Sequence, residues 1–219
     1  MNAQTDHIPL EDQAEPGTFR LIATLGFAGF ISGLILVSAY LFTKPLIEQN
    51  KADALERAIF KVLPGTTSFK ILALNDGQLK ETTSLKGDVI FLGLNDVKEQ
   101  TGLAIFGRET GFQDFVGIIY GYDPVNKLII GYEVLECKET PGLGDKIFKD
   151  AAFLTNFKAL SIAPEIILVK KGEKKQTNEV DAITGATITS RTVVKILNNS
   201  IKKWEQAIED YIHSTPAKN

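Results

Sequence analysis

The residues able to do chemistry gather in two short stretches. The first reads Asp181-Ala182-Ile183-Thr184-Gly185-Ala186-Thr187 and continues Ile188-Thr189-Ser190-Arg191. Thr184, Thr187, Thr189 and Ser190 place hydroxyls around a Gly-Ala pair, and a long amphipathic helical pattern begins directly after them. A helix N-terminus presents unpaired N–H groups and partial positive charge, which suits a phosphate. Gly185 permits close backbone approach or positive φ, Ala186 keeps bulk away, and Thr187 offers a hydroxyl beside the phosphate. The same residues also satisfy a second reading, a hydroxyl-rich helix N-cap.

The second stretch is Glu139-Thr140-Pro141-Gly142-Leu143-Gly144-Asp145-Lys146. Pro141-Gly142 breaks regular structure, so this is a loop. Its glycines let backbone approach a ligand, and Leu143 can lie against a flat aromatic ring. An ordinary Pro-Gly turn with a buried Leu accounts for the same residues.

Other elements must position these stretches. Val193, Leu197, Ile201, Trp204, Ile208 and Tyr211 recur every three or four residues, the apolar face of a long C-terminal helix. Thr189 or Ser190 is placed to cap it, with Thr187 in the turn before. Apolar runs at 69–74, 87–94, 102–106, 115–122 and 127–137 alternate with turn signals such as Asn75-Asp76-Gly77, and read as an antiparallel meander. Residues 149–157 suggest a short helix and 165–169 a strand. Lys170, Lys171, Lys174 and Lys175 suggest a solvated hairpin tip, with attraction of a phosphate as the other use of their charge.

Ahead of the meander lies an uncharged run, 21–42. At about 1.5 Å per residue its helix spans about 33 Å, enough for a bilayer core. Gly29-x-x-x-Gly33 fits a close helix contact, although glycine is frequent in membrane helices anyway. Residues 1–20 carry Asp6, Glu11, Asp12 and Glu15 against Arg20, the reverse of a signal-peptide n-region, so a retained anchor is expected. Pro45 suits the first turn of a new helix that Pro64-Gly65 closes. The organisation expected is a tail at 1–20, a transmembrane helix at 21–42, a linker helix at 43–64 and a mixed domain at 65–219. Lys44, Lys51, Arg57 and Lys61 follow the anchor, so the positive-inside count points the domain to the cytoplasm; long domains translocate largely regardless of that count.

Composition narrows the function classes. Residues 43–219 hold 23 basic and 23 acidic residues, and no nucleic-acid reader motif occurs, which argues against nucleic acid. Cys137 is the only cysteine, so no internal disulfide forms. His7 and His213 lie too far apart to suggest a metal site.

Asp181 to Thr187 resembles the Asp-x-x-Ser/Thr-Gly-Ala-Thr flavinylation motif of FMN-binding domains. Glu139 to Gly144 resembles the Glu-Thr-Pro-Gly-Leu-Gly segment of the RnfG family of Rnf complexes, and of its relative NqrC from the sodium-pumping quinone reductase. Asp145-Lys146 and the short length lean toward the former, and the resemblance spans nearly the whole chain. Thr184 stands where relatives often carry Ser, and Cys137 where they often carry His.

The resemblance implies an α+β chain: a single N-terminal transmembrane helix, then a mixed FMN-binding domain with an antiparallel sheet and a long C-terminal helix. It implies FMN joined covalently through its phosphate to Thr187, left there when a dedicated flavin transferase cleaves FAD. Thr184, Gly185, Ala186 and Asp181 would surround the attachment, while Glu139, Thr140, Leu143 and Gly144 cover the ring or its ribityl chain. No catalytic residue and no metal are implied. The protein would be an electron-carrying subunit of an ion-translocating oxidoreductase, not catalytic alone, beside other membrane and iron–sulfur subunits. It would sit in a bacterial inner membrane with its flavin domain periplasmic. Two other roles fit the residues: a membrane-tethered module holding FMN or another phosphate ligand noncovalently, and a structural anchor with a vestigial motif.

Overall fold

The computed structural model describes residues 17–214; most of the expected 1–20 tail, His7 included, lies outside them. Its contacts divide the chain into Met1–Lys51 and Ala52–Asn219. The first unit is carried by helix α1 (Thr18–Val62), whose uncharged run is long and apolar enough to cross a membrane and fits a single-pass anchor. Its apolar side chains, including Phe27, Phe30 and Leu36, are exposed, as a lipid-facing helix requires. Pro45 lies inside α1 and does not open a second helix, as its position in the sequence suggests. A proline removes one i→i−4 hydrogen bond, and the helical sequence on both sides carries the helix through that loss.

The second unit begins at Ala52, inside α1. Its strands are β1 (Ser68–Asn75), β2 (Gln78–Thr82), β3 (Val89–Leu94), β4 (Gln100–Thr110), β5 (Phe115–Asp123) and β6 (Leu128–Cys137). Helices α2 (Lys146–Lys149) and α3 (Ala151–Thr155) follow, then β7 (Leu160–Ser161), β8 (Ile167–Val169), β9 (Glu179–Asp181) and helix α4 (Thr187–Ser214). The main sheet has the order β2-β1-β3-β4-β5-β6-β7, with every pairing antiparallel. The expected meander is there. The expected helix at 149–157 is divided at Asp150, whose side chain instead caps α3 by accepting from Ala152 and Phe153 N–H.

Both faces of this sheet are covered, so its central strands are apolar on successive residues, not on alternate ones. Ile105, Ile118 and Tyr120 join the core with Val193, Leu197, Trp204 and Ile208 of α4. Ala104, Phe91 and Ile119 point the other way, to Ala58, Ile59, Val62 and Leu63. Burying each such aliphatic side chain contributes roughly 1.5–3 kcal/mol.

The end of α1 comes down on a patch where four strands lack side chains. Gly93 pairs with Gly102, and Gly121 with Gly131. A Cβ at Gly121 or Gly131 would overlap the Val62 carbonyl oxygen, and one at Gly93 would press on Leu63 and the Thr66–Thr101 hydroxyl pair. Glycine is required here for close approach of backbone to backbone.

A second sheet pairs β8 with β9 in parallel, Val169 opposite Asp181. The lysines at 170–175 therefore do not form a hairpin tip. They lie in the segment that returns from the end of β8 to the start of β9, because parallel strands need a crossover.

The glycine patch yields a stability test. Gly121→Ala should lower unfolding stability by about 1–3 kcal/mol, the usual cost of forcing bulk into a packed contact. A denaturant midpoint equal to wild type would show that the sheet yields to α1 at no cost.

Candidate functional site

The two sequence stretches meet at the start of α4. Ala182 and Ile183 are buried, and Ile183 carbonyl accepts from Ala186 N–H at 3.0 Å, closing a turn whose third residue is Gly185 at φ +83°. That φ suits glycine and strains any other residue, which explains Gly185 in the motif. Thr187 follows as the first residue of α4, and its side chain is exposed.

The expected cap is placed differently. Thr189 and Ser190 lie within the first turn of α4, both buried, and neither precedes the helix. Ser190 Oγ accepts from Ile183 N–H at 3.1 Å and donates to Ala186 carbonyl at 3.0 Å, clamping the turn from inside. Thr187 accordingly stands on the helix and not in the turn before it. The N–H groups of Thr187, Ile188 and Thr189 find no acceptor among the described residues, and the Thr187 hydroxyl has no partner there either.

The second stretch is built from Glu139. This residue is 6% exposed, yet its carboxylate is fully engaged. One oxygen accepts from Phe112 N–H at 2.9 Å and Gln113 N–H at 3.1 Å; the other accepts from Thr189 Oγ at 2.8 Å. Gly111 and Gly144 make room for it, since a Cβ at either would overlap the Glu139 side chain. Thr140 carbonyl accepts from Leu143 N–H at 3.1 Å and Gly144 N–H at 3.0 Å, forming the loop. Leu143 is 45% exposed and reaches within 3.4 Å of where a Gly185 Cβ would stand.

The two stretches thus meet where Leu143 lies beside Gly185; Thr184 and Thr187 are exposed, Thr140 is half-buried, and Ala186 and Gly144 are buried. Glu139 reaches this meeting point through Thr189. Asp181 faces a different way: its Oδ1 accepts from Gly172 and Lys174 N–H at 3.0 and 3.3 Å. The turn at 111–114 supplies two of Glu139's donors, and reading the sequence passes over it. Gly111 followed by Asp114 is the available turn signal, and Gly111 N–H donates to Asp114 carbonyl at 2.8 Å.

Charge behind the loop is held in place. Asp145 is buried, and the Lys149 ammonium at 2.6 Å holds its carboxyl below the usual aspartate range. Burial pushes the half-buried Cys137 thiol up, away from thiolate chemistry at neutral pH. Among the described residues no cluster of three or more His, Cys, Asp or Glu residues could hold a metal ion.

The residues at the start of α4 fit FMN. Three unpaired N–H groups, an unpaired exposed hydroxyl and a positive-φ glycine match a phosphate, and the Leu143 side chain offers an apolar face beside them.

Comparison with known proteins agrees. Residues 111–202 match the FMN-binding domain family. The chain is 30% identical over 181 residues to the G subunit of the ion-translocating oxidoreductase complex of Shewanella piezotolerans, covering 77% of this chain and 80% of that protein. It is 26% identical over 200 residues to the G subunit of the Na(+)-translocating ferredoxin:NAD(+) oxidoreductase complex of Acetobacterium woodii, covering 85% and 93%. In fold it is similar to NqrC of Shewanella oneidensis, with a TM-score of 0.62 at 18% identity, covering 74% of this chain and 98% of that one.

The Glu139 arrangement predicts a graded response. Glu139→Ala strands the buried Thr189 hydroxyl, at a cost of about 1–3 kcal/mol, and frees the N–H groups of Phe112 and Gln113 in the exposed 111–114 turn. Glu139→Gln keeps an oxygen for the two N–H groups, and its amide can donate to Thr189 Oγ, which accepts as readily as it donates. Denaturant unfolding should therefore rank wild type above Gln and Gln well above Ala. Equal loss for both variants would show that the negative charge, not acceptor geometry, is what matters.

Proposed function

The chain belongs to the RnfG family of the ion-translocating, Rnf-type oxidoreductase complexes, and from this we propose that it carries electrons through FMN esterified to Thr187. It is a flavoprotein subunit of an electron transport complex, and its relatives are subunits of ferredoxin:NAD(+) oxidoreductases that translocate ions.

The observation that carries the covalent reading is the Thr187 hydroxyl: exposed, unpaired, and on the first residue of a 28-residue helix whose first N–H groups are also unpaired. Those donors would hold the phosphate, and Leu143 on its loop would lie against the ring system. Gly185 and Ala186 leave the approach to Thr187 open. In maturation the Thr187 oxygen forms a new P–O bond to the flavin-bearing phosphorus of FAD. The pyrophosphate bond breaks, AMP departs, and the hydroxyl proton passes to a base of the flavin transferase. When bound, FMN supplies the reversible redox chemistry; the chain supplies attachment and orientation. Other membrane and iron–sulfur subunits of the complex are the electron partners in this reading.

We also place the flavin domain on the periplasmic side of the inner membrane. The resemblance supports this placement, and the lysines after the anchor do not decide it, because long domains translocate largely regardless of flanking charge.

Protein made with a flavin transferase should gain the mass of one FMN less one water on the peptide holding Thr187, and should fluoresce in a denaturing gel. Thr187→Ala should lose both signals. Flavin that survives denaturation in Thr187→Ala would remove Thr187 as the attachment point, and flavin lost from wild type on denaturation would favour the noncovalent module. For topology, a periplasm-dependent phosphatase fused after Ser214 should be active; a silent fusion at normal protein level would reverse the placement.

A further inference from the structure

The 170–175 segment carries Lys170, Lys171, Lys174 and Lys175 against a single Glu173, and all six residues are exposed. The pairing of β8 with β9 decides where this charge stands. In a parallel pair both strands end on the same side, so the lysine segment leaving β8 and the acceptor turn leaving β9 emerge together. Ala182 N–H donates to Val169 carbonyl at 2.9 Å, which fastens the two exits to each other.

Asp181 organises this segment. Its Oδ1 takes the N–H groups of Gly172 and Lys174, while Asn156 Oδ1 takes Asp181 N–H at 3.2 Å and Lys174 Nζ at 3.3 Å. Gly172 adopts φ +84°, the conformation this wrap around the carboxylate demands. Glu179 holds the far side, accepting from Lys175 and Gln176 N–H at 2.6 and 3.0 Å. Carboxylates thus bind the segment's backbone; the Lys174 ammonium turns in to Asn156, and the side chains of Lys170, Lys171 and Lys175 remain outside, with no ion pair among the described residues.

We infer that the 170–175 loop, hung from Asp181 beside the acceptor turn, is the docking surface for the flavin transferase, to which it offers positive charge matched to an anionic, FAD-loaded face. This rests on the covalent reading above and adds to it a recognition surface separate from Thr187. Asp181 is then a positioning residue: it acts by shaping the loop, and its own carboxylate faces backbone N–H groups. An ordered basic loop raises the encounter rate with an anionic partner by about tenfold or more, and salt erases the gain.

The test uses full-length protein in uncharged detergent, purified flavin transferase and FAD, with mass spectrometry of the Thr187 peptide as the readout. The variant with Lys170, Lys171 and Lys175 changed to Gln, which leaves the Lys174–Asn156 bond in place, should be modified about tenfold or more slowly than wild type at low salt, with unchanged thermal unfolding. High salt should bring the two rates together. Asp181→Asn keeps the acceptor oxygen and should be modified nearly as fast as wild type, whereas Asp181→Ala should fall to the level of the lysine variant. Equal rates for wild type and the lysine variant would overturn the docking surface while leaving the covalent reading intact. Asp181→Asn as slow as Asp181→Ala would overturn the positioning role. A slowing seen only in anionic-lipid vesicles would assign the loop to the membrane and overturn the proposal. Wild type left unmodified would bring down the covalent reading itself, and this inference with it.

Discussion

The geometry of the site depends on one buried carboxylate. Glu139 sits where a charge is tolerated only with partners, and it has three, drawn from the β4–β5 turn and from α4. Two glycines keep that space open. Because Glu139 begins the loop, its fixed position decides where Thr140 turns the chain and where Leu143 emerges. Because it also holds Thr189, it fixes the first turn of α4, and Thr187 with it. The distance between the apolar Leu143 side chain and the Thr187 hydroxyl is set by a side chain that faces neither.

That arrangement needs α4 held in register along the sheet. Tyr120 OH meets Ser200 Oγ at 2.8 Å in the core, and burial raises the Tyr120 phenol far above its ordinary range, so it stays protonated. Gly107 lets Ile196 approach β4, where a Cβ would overlap it. Near the site, Thr192 Oγ donates to Thr110 carbonyl, and Glu109 accepts from Lys195 and Asn199. The Lys195 and Asn199 hydrogen bonds hold the Glu109 carboxyl below its usual range, so this clasp is complete at neutral pH and weakens only in strong acid. A slip of α4 would break the buried pair, the glycine contact and the clasp together.

Local features are legible in the sequence, and contacts across long separations are not. The meander shows because strands buried on both faces are continuous apolar runs. β2 escapes notice because Gln78-Leu79-Lys80-Glu81-Thr82 is an edge strand with one buried residue, too polar to announce itself. Thr187 and Gly185 stand out because their chemistry is local: a turn, a glycine, a helix start. Glu139's role is invisible because its partners lie 27 and 50 residues away. The start of α4 is misplaced because hydroxyls at 189 and 190 look like caps. Their actual bonds run inward, to Glu139 and to the turn, and only the packed structure shows that direction. The parallel pairing of β8 with β9 is equally hidden, since two three-residue strands carry no periodicity.

The shallowness of the site argues for a tether on physical grounds. Noncovalent cofactor sites are concave and bury most of their ligand. Around Thr187 the side chains of Thr184, Leu143 and Ile188 are all exposed, and Ile188 is 48% so. A cavity of about 310 Å³ does exist in this unit, but it is lined by Thr101, Asp123, Asn126, Tyr211 and Ile212, at the opposite end of α4. A flavin resting on Leu143 alone would gain too little burial to stay bound through dilution. An ester bond would remove that requirement and would leave one face of the ring open to a partner. An electron carrier needs that open face and an enzyme pocket does not, so the shallow site and the exposed hydroxyl point to the same role.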